Sequence, residues 1–123
     1  MRGDEARVVA AFCDHLATGG WQIEREIGFV DVLATRDGVT LYAEAKGRTA
    51  AIGTDVDTLY GQLLRRVPAD AETCLLGVVV PERAADAALR VPEWIRDRLR
   101  VHVWAVSDDG WVRLVSRPEE SAI

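Results

Sequence analysis

The chain has 123 residues, of which 49% are hydrophobic and 28% charged, and its net charge is −5. These values are typical of one soluble globular domain, and no apolar run reaches the roughly 18 residues that a membrane span needs. We expect a cytoplasmic protein, since the amino-terminal segment lacks the apolar stretch of a signal peptide. The net negative charge argues against a protein that binds nucleic acid through its overall electrostatic attraction, although carboxylates that bind a metal would add to the negative charge counted here.

The first third of the chain is predicted to form a helix and three antiparallel strands. Apolar residues recur at helical spacing over 4–18, and Gly19-Gly20 ends this helix. Residues 21–27 alternate between apolar and polar side chains, as a half-exposed strand does. Gly28 then leads into two β-runs, 29–36 and 39–46, which meet at Asp37-Gly38. Asp-Gly between two such runs is the signature of a type I′ hairpin.

The middle of the chain predicts a second helix and a buried strand. Thr54 is a suitable N-cap for a helix that runs to Val67. The apolar residues predicted to form the buried stripe of this helix are Val56, Leu59, Tyr60, Leu63, Leu64 and Val67. Residues 74–80 form a continuous apolar run, which is typical of a strand covered on both faces. The cysteines, Cys13 and Cys74, lie in apolar runs and are predicted to be buried thiols.

The last third predicts a helical segment over 81–100, interrupted at Val91-Pro92, and a strand over 101–106. Trp94, Ile95 and Leu99 are expected to supply the apolar face of that segment. Asp109-Gly110 marks a second hairpin that leads into residues 111–115.

These elements predict one domain over 1–123, an α/β fold with a central mixed sheet flanked by helices. A helix between the hairpin and the buried strand indicates a crossover connection, which joins parallel strands. The core of the domain is expected over residues 5–80. A C-terminal helix and hairpin follow over 82–116, and the polar tail 117–123 is expected to be frayed.

The first hairpin carries the main functional signal. With a two-residue turn, Arg36 pairs with Val39 and the register runs back until Asp31 faces Glu44. Opposed side chains have Cβ atoms about 4.5–5.5 Å apart, and like charges at that distance are destabilising. One face of the hairpin is wholly apolar, whereas the other gathers Asp31, Glu44 and Lys46. A divalent cation is the simplest partner that would relieve the repulsion.

This residue set suits metal-dependent phosphodiester chemistry. A few hard oxygen ligands are what Mg²⁺ prefers, since it keeps most of its waters. Such an ion lowers the pKa of a bound water and neutralises charge on a phosphodiester. Lys46 would orient or help to deprotonate that water, or stabilise the developing charge. The chain has no Gly-rich phosphate loop, no G-x-S-x-G motif and only two histidines, so other common chemistries find little support.

Asp31, followed after twelve residues by Glu44-Ala45-Lys46, resembles the Asp…Glu-x-Lys signature of the PD-(D/E)xK nuclease superfamily. The predicted element order also resembles the α-β-β-β-α-β core of that superfamily, over residues 5–80. The resemblance implies a restriction-endonuclease-like fold and a Mg²⁺-dependent endonuclease, with Mn²⁺ able to substitute. It implies Asp31, Glu44 and the Ala45 carbonyl as metal ligands.

The same resemblance assigns two further residues to the catalytic site. Glu5 matches a first-helix glutamate that often completes the metal site, and Gln62 matches a glutamine in the helix after the lysine strand. The alternative for Glu5 is a first-turn carboxylate that stabilises the helix dipole. The chain departs from the pattern at Val30, where the superfamily often has proline, and at Arg66, where an aromatic residue can stand.

The resemblance implies DNA as the substrate, in repair, recombination or defence against foreign DNA, with RNA a more remote option. The arginines that could contact phosphates, or could simply be solvated, are Arg25, Arg36, Arg48, Arg65 and Arg66. The tryptophans are expected to be core or interface anchors: Trp21, Trp94, Trp104 and Trp111. A homodimer, or a place in a larger complex, is expected because cutting both strands needs two sites. The alternative function is a non-catalytic nuclease-fold subunit that binds nucleic acid or a protein partner.

Overall fold

The computed structural model describes residues 2–25 and 30–123, without the side chains of Arg2, Gly3 and Arg25. Residues 26–29, which the sequence assigns to the end of the first strand and the start of the hairpin, lie outside this description. The helices are α1 (Arg2–Thr18), α2 (Ile52–Arg66), α3 (Ala85–Ala88) and α4 (Glu93–Arg98), and a 3₁₀ turn (Glu82–Ala84) precedes α3. The strands are β1 (Gln22–Arg25), β2 (Val32–Arg36), β3 (Val39–Ala45), β4 (Leu75–Pro81), β5 (Val101–Val106) and β6 (Val112–Ser116). In the described ranges no helix is long and apolar enough to cross a membrane.

The six strands form one mixed sheet in the order β1-β2-β3-β4-β5-β6. Strands β3, β4 and β5 are parallel, and the other neighbours are antiparallel. The predicted crossover through α2 joins β3 to β4, and the 3₁₀ turn, α3 and α4 join β4 to β5. The predicted α/β class with a central mixed sheet flanked by helices is therefore confirmed. The parallel arrangement also brings the carboxyl ends of β3, β4 and β5 to one edge of the sheet.

The register predicted for the first hairpin is confirmed. Arg36 pairs with Val39, and the pairing runs back in step to Val32 and Ala43. Asp37 and Gly38 have φ angles of 52° and 81°, the positive values that both central residues of a type I′ turn require. Asp31 lies directly before β2, and its side chain is hydrogen-bonded to that of Glu44.

The sheet has an apolar core on each face. On one face α1 packs through Val8, Phe12 and Leu16 against Val32, Ala34, Leu41, Ala43, Ala45, Val79 and Trp104. On the other face α2 and α3 pack against the sheet through Val56, Leu59, Tyr60, Leu63, Ala87 and Ala88. Every residue of β4 is buried, as its continuous apolar run predicts. Both cysteines are buried as well.

The predicted start of α2 is wrong. The helix begins at Ile52, so Thr54 lies inside its first turn and is not the N-cap. The N-cap is Ala51, which makes no side-chain cap hydrogen bond. Thr49 lies before it: its Oγ1 accepts the Ala51 N–H at 3.0 Å and donates to the Asp55 carboxylate in the first turn. Leu64 is 45% exposed, since the buried stripe of α2 ends at Leu63.

Two of the four tryptophans are not core residues. Trp21 and Trp104 are buried as expected, whereas Trp94 is 61% and Trp111 is 78% exposed. Trp94 lies on a helix of only six residues, and the Arg98 guanidinium stacks over its ring at 5.2 Å. Helical spacing predicted an apolar face for this segment, but that face does not pack against the core.

The tail that was expected to be frayed makes specific contacts. Ser121 hydrogen-bonds His102 Nε2, and His102 is fully buried in β5. Arg117 Nη1 donates to the Ile123 carbonyl at 2.7 Å, and Ile123 packs against the core on the α1 side. The tail makes these contacts because the buried imidazole of His102 needs a polar partner for its second nitrogen.

Two glycine-to-alanine substitutions test this packing with opposite expected signs. A Cβ at Gly77 would lie 2.7 Å from the Trp104 ring, which is itself packed against Phe12. We expect Gly77→Ala to lower the free energy of unfolding by about 1–3 kcal/mol. Gly61, on the exposed side of α2, has open space around it, so Gly61→Ala should raise that free energy by about 1 kcal/mol. Urea unfolding measures both, and a neutral or stabilising Gly77→Ala would contradict the packing described.

Candidate functional site

Glu44 is a carboxylic acid buried inside the fold. Alternation along β3 places Ala43 and Ala45 in the core on the α1 side and turns Tyr42 and Glu44 toward α2. The side chain of Glu44 is 1% exposed. Arg66, in the last turn of α2, donates from Nη1 to Glu44 Oε1 at 3.1 Å. A buried carboxyl group of this kind needs a paired charge or a retained proton.

Asp31 lies beside Glu44, as the register predicts. Its Oδ2 accepts the Ala45 N–H at 2.9 Å, where the ladder between β2 and β3 has just ended. Burial, followed by the hydrogen bond and the negative charge of Asp31, raises the pKa of Glu44, and the Arg66 guanidinium lowers it; the net result is a pKa of about 8. Glu44 therefore keeps a proton near neutral pH.

The residues after Glu44 complete the predicted motif. The N–H of Ala45 points toward Asp31, and the C=O of a strand residue points to the same side as its N–H, so the Ala45 carbonyl faces that side too. The Lys46 N–H continues the sheet by donating to the Val79 carbonyl at 2.9 Å. Because side chains alternate along a strand, Lys46 lies on the same face of the sheet as Glu44. Among the described residues its ammonium group makes no ion pair.

Glu5 lies near this edge but does not join the carboxylate pair. The amino end of α1 packs on Gly47, where an added Cβ would come within 2.5 Å of the Glu5 backbone nitrogen. Only glycine permits this approach of helix and strand end. Within residues 2–25 and 30–123, no three His, Cys, Asp or Glu side chains form a group that could hold a metal ion. The metal role of Glu5 therefore stays a prediction from the resemblance.

Three more of the predicted residues, Gln62, Arg65 and Arg48, lie close in sequence to Arg66 or Lys46. Gln62 is partly buried and lies one turn before Arg66 on the same side of α2. Arg65 is exposed next to Arg66. Arg48 follows Lys46 by two residues and forms an ion pair with Asp108 at 2.7 Å.

Arg36 lies at the opposite end of the hairpin from the carboxylates. Its Nη1 donates to the Gly19 carbonyl at 2.9 Å, and its guanidinium stacks over Trp21 at 4.6 Å. These contacts hold the end of α1 against the sheet, so the structure does not bring Arg36 together with the predicted site. The side chain of Arg25 lies outside the described part of the chain.

Two features of the site were missed in the sequence. Arg66 was assigned to phosphate contacts, but it pairs with Glu44; its spacing of four residues from Gln62 was the available signal. Lys46 is also the only lysine among the 15 Lys and Arg residues of the chain. A compact, strongly hydrated ammonium is thus present only beside the carboxylate pair.

The donor chemistry fits a magnesium ion. Two carboxylates and a backbone carbonyl are hard oxygen ligands, and Mg²⁺ commonly takes one or two carboxylates while keeping several waters. The raised pKa of Glu44 reflects burial first and then the neighbouring Asp31, and a bound cation would offset the cost of ionising Glu44 in such a place. Arg66 now supplies part of that positive charge, so a metal ion would compete with it for Glu44.

No family model matches this chain, and no curated protein matches it. Among solved structures it is similar to an XisH family protein from Nostoc punctiforme, which is 18% identical; the match covers 92% of this chain and 99% of that one with a TM-score of 0.62. It is also similar to an fdxN element excision controlling factor protein from Anabaena variabilis, 19% identical, with 90% and 99% covered and a TM-score of 0.62. At these identities the likeness shows a shared fold.

The proton held by Glu44 makes folding depend on pH. Its pKa is raised from 4.5 to about 8, so the folded protein keeps a proton that the unfolded chain releases between these values. The free energy of unfolding should therefore fall as the pH rises through this window. We expect Glu44→Gln to be less sensitive than wild type between about pH 7 and 8.5, where the histidines are neutral in both states. Denaturant unfolding across this range measures the slope.

The matched control for that comparison is Glu24→Gln, which removes an exposed carboxylate of β1. It should keep the pH slope of the wild type. An unchanged slope in Glu44→Gln would mean that Glu44 does not hold the proton.

Proposed function

We propose that this protein is a Mg²⁺-dependent endonuclease that hydrolyses phosphodiester bonds of DNA. The observation that carries the proposal is the buried Glu44 beside Asp31, with the only lysine of the chain two residues later. Buried polar groups with strongly shifted pKa values are candidates for functional sites. The observed order from α1 to β4, α-β-β-β-α-β, supports a restriction-endonuclease-like arrangement as part of this proposal.

Each residue of the site has a separate role in the proposal. Asp31, Glu44 and the Ala45 carbonyl would hold the ion, which would acidify a water and stabilise charge on the phosphate. Lys46 orients the attacking water or donates a hydrogen bond to the developing negative charge. Gln62 positions the water or phosphate from α2. Glu5 contributes from the amino end of α1, through water.

The name of one structural neighbour is compatible with this proposal, because that protein is called an fdxN element excision controlling factor. We use the word excision in that name only to support DNA as the substrate of this chain. A double-strand cut by this chain requires two copies, so a homodimer is part of the proposal.

A second candidate function is a non-catalytic subunit of the same fold. The observation that favours it is the ion pair between Arg66 and Glu44, which partly satisfies the buried carboxyl group without any metal. A controlling factor also need not cut DNA itself. The two candidates differ in what Mg²⁺ does to the protein.

Cleavage assays test the first candidate. Wild type should nick or cut DNA with Mg²⁺ or Mn²⁺, and Lys46→Ala and Asp31→Ala should each lower the rate by at least about 100-fold. Lys46→Arg keeps the positive charge but not the compact ammonium, and it should also be strongly impaired. Product formation from supercoiled plasmid and labelled oligonucleotides measures the rate.

The matched control for the cleavage assay is Arg98→Ala, which removes an exposed charge from α4 and should keep most of the activity. If Lys46→Ala and wild type give the same products, the cleavage comes from a contaminant and the proposal fails.

Metal titration separates the two candidates. Millimolar Mg²⁺ should raise the melting temperature of wild type, because binding to the folded state stabilises it. The apparent affinity should rise with pH up to about 8, since the proton on Glu44 must leave before the ion binds. Arg66→Ala should bind Mg²⁺ more tightly than wild type because it removes the competitor for Glu44 Oε1.

Glu44→Gln serves as the negative control in the titration and should give no Mg²⁺ response. A flat response in both wild type and Arg66→Ala would favour the non-catalytic subunit.

A further inference from the structure

Trp111 is the most exposed large apolar side chain of the described residues, at 78%. It precedes β6, whose first residue, Val112, pairs with Val106 at the carboxyl end of β5. Because β3 and β5 are parallel, the carboxyl end of β3 lies at the same edge. Trp111 is therefore at the edge of the sheet that carries Lys46.

Trp111 also belongs to the same face of the sheet as Glu44. Val112 and Leu114 pack into the core on the α1 side, so alternation turns Trp111 and Arg113 to the face of α2 and α3. Arg113 forms an ion pair there with Glu82, at the start of the 3₁₀ turn. Three strand spacings separate β3 from β6, which is about 14 Å. That span corresponds to about four nucleotides along a B-form axis.

The backbone of Trp111 is held firmly. Its N–H donates to Ser107 Oγ at 3.0 Å, and its carbonyl accepts the Ser107 N–H at 2.9 Å. Arg7 donates to the Ser107 carbonyl at 2.9 Å, and Asp108 pairs with Arg48 at 2.7 Å. The turn that presents the indole is thus tied both to α1 and to the segment that follows Lys46. Because the backbone of this turn is already fixed, ordering it costs little when the indole binds a ligand.

We propose that Trp111 stacks on an unpaired base of the nucleic-acid strand whose phosphate lies at Lys46. This inference rests on the proposed function and narrows its substrate class to strands with unpaired bases, such as single strands or duplexes with single-stranded extensions. Stacking on an indole needs no particular base, so the contact selects strand structure and not sequence. The acidic side chains Glu82 and Asp108 at this edge pair with Arg113 and Arg48, which limits their repulsion of phosphates. The exposed Asp109 in the same turn has no ion pair among the described residues.

Binding measurements test the inference. Every variant carries Asp31→Ala, so that Lys46 is kept while the oligonucleotides stay intact in Mg²⁺, and gels verify that they do. Fluorescence anisotropy gives the Kd for a single strand, a blunt duplex and a duplex with a single-stranded extension. We expect Trp111→Ala to weaken binding of the two substrates with unpaired bases by roughly 5- to 150-fold. Binding of the blunt duplex should change by less than about twofold.

Two variants control for loss of structure and for loss of any exposed indole. Trp111→Phe keeps a ring and should retain most of the affinity. Trp94→Ala removes an indole that is 61% exposed on α4, beside Arg96, which contacts Ser116 at the opposite end of β6. It should bind all three oligonucleotides like its parent.

Equal affinities for Trp111→Ala and its parent would overturn the inference. So would an equal loss for the blunt duplex, a parent that binds no nucleic acid, or a Trp111 variant whose only defect is loss of a protein partner.

Failure of the proposed function has a different signature. In that case wild type does not cleave DNA, whatever the affinities show. Cleavage that depends on Lys46, together with unchanged affinity in Trp111→Ala, would leave the endonuclease intact and remove only the stacking contact.

Discussion

The burial of Glu44 is the constraint on which the rest of the candidate site depends. An ionised carboxylate without compensation is strongly disfavoured at 1% exposure, so this group keeps a proton to a pKa of about 8; it accepts a hydrogen bond from Arg66 and is hydrogen-bonded to Asp31. Asp31 approaches from the turn before β2, and Arg66 approaches from the end of α2. The hairpin register, the docking of α2 and the local charge balance therefore meet at one side chain.

The topology of the sheet places different groups of side chains at the two ends of its strands. The carboxyl ends of the three parallel strands share one edge, where Lys46, Arg48 and the turn before β6 lie, and the amino end of α1 reaches it through Gly47. The opposite edge holds contacts that secure the fold. There Arg36 binds the Gly19 carbonyl, and the C-terminal tail closes over the buried His102. The side chains of the candidate site therefore lie at one end of the strands, and the side chains whose contacts stabilise the fold lie at the other end.

Features set by neighbouring residues could be predicted well. Asp37-Gly38 dictates the turn type, and period-two alternation then gives the register that opposes Asp31 and Glu44. The apolar run of β4 predicts its complete burial. The start of α2 could not be predicted from its residues, because its N-cap, Ala51, has no side chain that could signal a cap. Exposure of Leu64 and Trp94 was missed because helical spacing identifies an apolar face without saying whether another element covers it.

The sequence by itself determined the order of the elements, the hairpin register and the gathering of Asp31, Glu44 and Lys46 on one face. Only the tertiary structure decided which partners these groups meet. It paired Arg66 with Glu44, occupied Arg36 with Gly19 and Trp21, and turned Trp111 into solvent at the edge that carries Lys46. The physical reason is that periodicity sets the direction of a side chain relative to its own backbone. Contacts between residues far apart in the chain depend on how helices dock on the sheet and where the tail returns.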